Sequence, residues 1–76
     1  MLRLLTDEMD KADTALWDAE RDGNTSARIV ALRERAALWV KYGELLTSVG
    51  AESTGAALAA QRDLTTAHQL ADEATR

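Results

Sequence analysis

Cysteine is absent from this 76-residue chain, so neither a disulfide framework nor a thiolate metal site can staple it. Proline is absent as well, so no helical stretch carries a built-in break. Phenylalanine is missing and aromatics make up only 4% of the chain, which leaves few side chains able to fill a large core. The single histidine, His68, removes most transition-metal sites that need several imidazoles. No run approaches the roughly 18 to 20 unbroken apolar residues of a membrane span, so no membrane partner is expected. The opening MLRLL has one arginine and no small-residue cleavage pattern, so a secretory signal is not expected either. Together these absences point to a cytoplasmic chain with no cofactor, no bound metal and no small-molecule substrate.

Apolar residues reach 46%, but much of that share is alanine, which buries little area per residue. The net charge of −4 argues mildly against a nucleic-acid scaffold and leaves room for a local basic patch. Arginine outnumbers lysine and alanine abounds, a bias of GC-rich coding. It points toward actinobacteria or their phages, hence a host cytoplasm or a virion.

The glycines punctuate the chain. Gly23 opens DGNTS, and Gly50 and Gly55 bracket GAESTG, both clusters of turn and capping residues. Gly43 lies inside an otherwise helical pattern. These breaks divide a single domain, 1–76, into three helices of about 2–22, 26–49 and 54–75. No segment alternates with period two and β-branched residues are sparse, so strands are not expected.

The middle helix organises the rest. Ile29, Leu32, Ala36, Trp39, Gly43 and Leu46 form one seam, with Val40 beside it, while Ala31, Leu38, Tyr42, Leu45 and Val49 run down another side. Only Arg33, Glu34, Ala37, Lys41, Glu44 and Ser48 form a face made for water. A helix this apolar has to be covered from two directions. The first helix offers Leu2, Leu5, Met9, Ala12, Leu16 and Ala19 at heptad spacing, and the short DGNT connection makes it an antiparallel neighbour. Thr6, followed by Asp7 and Glu8, has the form of an N-cap, although the leucines before it would allow an earlier start. The third helix offers Ala57, Ala60, Leu64, Ala67, Ala71 and Ala74, with Ser53 or Thr54 as its cap. An alanine seam fills little space and lets two backbones approach closely. The fold class is therefore all-α: a three-helix bundle, or a helical hairpin plus a third helix, with coiled-coil-like packing.

A chain this short gains from burial about what it loses in conformational entropy, and staples are excluded by composition. Association with a second copy or a larger assembly is the remaining source of stability, so an oligomer is expected. Trp17 and Leu58 stand off their seams, and Trp39, Tyr42 and Leu45 belong to an arc too wide for one partner helix. These five are the expected protein interface.

Catalytic chemistry has little to stand on. His68 with Asp72 one turn later could pair for acid–base work, but no nucleophile, second histidine or glycine-rich loop accompanies it. The run Asp7, Glu8, Asp10 and Asp13 fits no calcium loop and reads as a solvated face. Arg28, Arg33 and Arg35 form the one basic cluster and, with Arg62, could touch phosphates, although they point to different sides. The stretch LLTSVGAESTGAALAAQRD resembles a helix-turn-helix with Gly50 in the turn, but its reading helix offers only Gln61 and Arg62 to bases. The sequence thus points to a non-catalytic, self-associating interaction or assembly protein. Its alternatives are a small nucleic-acid-binding regulator using the arginine patch, or an acidic decoy that inhibits another protein.

Overall fold

The computed structural model describes residues 2–75, with side-chain surroundings from Leu5 to Thr75. It is all-α, with α1 at Leu2–Asp22, α2 at Thr25–Ser48 and α3 at Thr54–Ala74, and no strand among the described residues. Two glycines close the first two helices. Gly23 and Gly50 take φ of 68° and 75°, the left-handed region that L side chains rarely adopt. At each, the two amides after the helix fold back onto its last turn. Gly23 N and Asn24 N donate to Glu20 O and Ala19 O at 3.2 and 2.9 Å. Gly50 N and Ala51 N donate to Thr47 O and Leu46 O at 3.0 and 2.8 Å. Asn24 then caps α2, its side chain accepting from Ala27 N at 3.1 Å. Thr6 is no cap: α1 already begins at Leu2, so Thr6 lies within it.

Both connections are tight, and both neighbours run antiparallel to α2. Gly43 meets Ala56 near the second turn and Arg35 meets Asp63 midway. Ala31, Leu32, Ala67, Leu70 and Leu16 of α1 gather at the far end, with Ile29 packed against them. α2 is covered from two sides, whereas α1 and α3 do not reach backbone-contact distance of each other among the described residues. The molecule is consequently a shallow bent layer, 44 × 21 × 12 Å, with α2 in the middle.

Leu5, Ala12, Leu16 and Ala19 of the α1 seam are buried and Met9 is half-buried, while the side chain of Leu2 lies outside the described residues. On α2, Ala31, Leu32 and Ala36 are buried. The α3 seam departs from the expected one. Ala56, Ala60, Asp63, Ala67 and Leu70 are buried, while Ala57, Leu64 and Ala74 are exposed and Ala71 is half-buried. The helix is rotated so that a carboxylate, Asp63, lies on the buried line; its partner on α2 supplies the reason, given below.

The core is thin. Among the described residues it consists of four leucines and seven alanines, and no large side chain there is wholly buried. The surface records the consequence. A compact 8.3 kDa monomer would expose about 4,600 Å², whereas this chain exposes 5488 Å². Its radius of gyration, 13.3 Å, likewise exceeds the roughly 11 Å of a compact chain this long.

Gly43 has an ordinary helical backbone, and a Cβ built there would meet Ala56 Cβ at 3.6 Å, an ordinary contact. Glycine within a helix costs roughly 0.5–1 kcal/mol relative to alanine. Gly43→Ala should therefore stabilise the fold by about that amount, read as a higher urea midpoint with unchanged slope. A lower midpoint would mean that α2 and α3 pack more closely than described.

Candidate functional site

The most ordered polar arrangement is built on Arg35. Its position on α2, between the strip facing α1 and the strip facing α3, lets one guanidinium reach both neighbours. Nε and Nη2 donate to Asp63 Oδ2 and Oδ1 at 2.8 and 2.7 Å, a bidentate fork, and Nη1 donates to Asp13 Oδ1 at 3.0 Å. The Asp63 side chain is 7% exposed, that of Arg35 24% and that of Asp13 48%. The hydrogen bond with Asp63 raises the Arg35 pKa most strongly; burial opposes it, and Asp13 adds to the rise. Arg35 is thus a permanent cation whose donors are engaged inside the fold. Its role is architectural, because three of its five N–H donors are committed to internal carboxylates.

The remaining arginines are dispersed. Arg33 and Arg62 are exposed on different helices, and Arg28 is half-buried with its Nε enclosed and donating to nothing among the described residues. The structure does not bring Arg28, Arg33, Arg35 and Arg62 onto one line that a phosphate backbone could follow. In the stretch resembling a helix-turn-helix, Gln61 and Arg62 are exposed, while Ala56 and Ala60 pack toward α2. His68 is exposed, with no side-chain hydrogen bond or ion pair among the described residues. No group of three or more metal-ligating side chains occurs among them, and no helix is long and apolar enough to cross a membrane.

The expected interface residues fall in different places. Trp17 is 74% exposed and Leu58 55%. Trp39, Tyr42 and Leu45 are half-buried, and the rings of Trp39 and Tyr42 meet edge-to-face at 6.0 Å between centroids. The layer has two faces. The hollow face, between α1 and α3, carries the Arg35 fork and a recess of about 220 Å³ lined by Leu5, Thr6, Met9, Asp10, Trp39 and Tyr42. Helical phase places Trp17 on this side, with Thr6, Asp10 and Asp13.

The ridged face is the outward side of α2, where Val30, Arg33, Ala37, Val40 and Glu44 follow one another at heptad steps and are all exposed. Grooves flank this ridge. One of about 450 Å³ lies between Val40, Gly43 and Glu44 of α2 and Ser53 and Ala57 by α3. Another, of about 520 Å³, lies between Glu34, Ala37 and Leu38 of α2 and Glu8, Lys11 and Ala15 of α1. The sequence reading placed Arg33, Ala37 and Glu44 on the face made for water but counted Val40 with the covered seam, whereas Val40 is 49% exposed and stands on this ridge. The heptad step on the outward side was the available signal.

Comparison with protein-family models, with curated proteins and with solved structures gives no match.

Three variants test these polar contacts. Asp63→Ala leaves the Arg35 charge enclosed with one half-exposed partner, so it should destabilise the fold by about 2–4 kcal/mol. Asp13→Ala should cost no more than about 1 kcal/mol, because that carboxylate stays half in water. Replacing both members, Arg35→Met with Asp63→Leu, should lose less than Asp63→Ala alone. Chemical denaturation of the three proteins checks the order.

At the start of α3, Glu52 accepts hydrogen bonds from the Thr54 hydroxyl and from Thr54 N, the latter at 2.9 Å. The hydroxyl bond, then the amide bond, lowers the Glu52 pKa below the ordinary carboxylate range. A lowered folded value means the contribution is present at and above the ordinary range and lost as pH falls through the lowered one. An NMR titration should therefore show the Thr54 amide following Glu52, with a midpoint below that of glutamate in an unstructured peptide.

Proposed function

We propose that this chain is a non-catalytic interaction protein: a small assembly, adaptor or accessory element that docks helix on helix and associates with copies of itself. The supporting observation is its surplus surface. A folded chain exposing 5488 Å² where about 4,600 Å² suffices leaves roughly 900 Å² that a compact fold would have hidden. That surplus is close to the roughly 800 Å² each partner contributes to a standard protein interface. A single layer of helices is also half of the usual arrangement, in which two layers enclose a core between them. A second layer from another molecule would supply the missing cover, and the acidic flanks would keep the assembly soluble.

Sedimentation over a range of concentrations, with thermal unfolding on the same samples, tests this reading. The expected result is a mass above that of one chain and a Tm that rises with protein concentration. A single 8.3 kDa species whose Tm does not depend on concentration would overturn it.

A further inference from the structure

The charges of the ridged face complement themselves. Arg33, Glu34, Lys41 and Glu44 are all exposed there, and none has an ion-pair or side-chain hydrogen-bond partner among the described residues. Around them lie Val30 at 54% exposure, Ala37, and Val40 at 49%. Leu64 of α3, 43% exposed, falls on the same side by helical phase.

Let a second α2 lie antiparallel across this face, related by a two-fold axis between Ala37 and Val40. Arg33 then stands opposite Glu44 of the second copy, and Ala37 opposite Val40. The symmetry repeats both pairings on the other side of the axis. Glu34 and Lys41 lie on one flank of the ridge, and the two-fold sets each beside the other's counterpart, about 3 Å apart along the axis. All four charged side chains of the face meet an opposite charge.

Shifting the second helix to place Ala37 against Ala37 would instead set Arg33 against Lys41, a like-charge pair. The register is thus chosen by charge, and the small Ala37 at the centre permits a close helix approach.

From this geometry we infer that the outward ridge of α2, Val30 to Glu44, is the contact through which two copies pair antiparallel, locked by reciprocal Arg33–Glu44 ion pairs around an Ala37–Val40 centre. The flanking grooves take the side chains that lean off the opposing ridge, ridges into grooves. The inference rests on the self-association proposed above and names its face, register and symmetry.

Charge reversal tests the register. Arg33→Glu and Glu44→Arg each set like charges opposite one another at two places, so each should weaken the dimer about tenfold or more in sedimentation equilibrium. The double variant Arg33→Glu/Glu44→Arg restores both pairs in swapped form and should return to within about threefold of the parent. The chain has no cysteine of its own, so cross-linking gives an independent reading. In this register the two Ala37 Cα atoms lie about 6 Å apart, within disulfide reach. Ala37→Cys should therefore oxidise to a covalent dimer, while Leu58→Cys and Trp17→Cys should stay monomeric under the same conditions.

A parent dimer that ignores the charge reversals, or cross-linking through Leu58→Cys or Trp17→Cys in place of Ala37→Cys, would overturn this face while leaving self-association standing. Failure of the double variant to recover would overturn the register. A monomeric parent that does not cross-link at Ala37→Cys would overturn both proposals together.

Discussion

One guanidinium has to satisfy carboxylates on two different helices, and that constraint shapes the molecule. Arg35 can hold Asp63 in a fork and Asp13 by its remaining nitrogen only if α1 and α3 stand on opposite sides of α2 at matching heights. Alanine-rich surfaces alone would fix that height poorly, since one methyl slides past another at little cost. A bidentate pair loses most of its energy when displaced by an ångström or two. The fork therefore sets the rotation and stagger that the sparse apolar contacts leave loosely determined.

The same interaction explains why the sequence was readable in some places and opaque in others. The α1 seam was legible because Leu5, Met9, Ala12, Leu16 and Ala19 keep a strict heptad and nothing polar intrudes. The two apolar strips of α2 were legible in the main, and with them the need for cover from two sides, although Val40 and Val49, counted with them, are exposed. On α3, periodicity counted Asp63 as a solvent residue and so favoured the adjacent line through Ala57 and Leu64. The buried line runs through Ala56, Ala60, Asp63, Ala67 and Leu70. A charge at a heptad position is a sign of a buried partner only once that partner is known, and Arg35 lies 28 positions away in sequence. At the start of α1 the sequence left two readings open, a cap at Thr6 or an earlier start through the leucines before it, and the helix begins at Leu2.

The candidate interface was partly legible. Trp17 and Leu58 are outward, as their misfit with the seams required, yet exposure alone does not place them on a common surface. They stand on different helices, α1 and α3. What the sequence conceals is the pairing of charges across a contact between molecules. Such a pairing can be proposed only once the neighbours of α2 are known and the side left uncovered can be identified.

The absence of any wholly buried large side chain among the described residues has a further consequence. In a thicker protein, deep amides exchange with solvent only when the whole fold opens, while peripheral ones exchange through small local fluctuations. Here the layer is only 12 Å across its thin dimension. Little separates fraying of an end from loss of the whole, and slow amide exchange along the middle of α2 would record the presence of a second molecule more than the strength of this one.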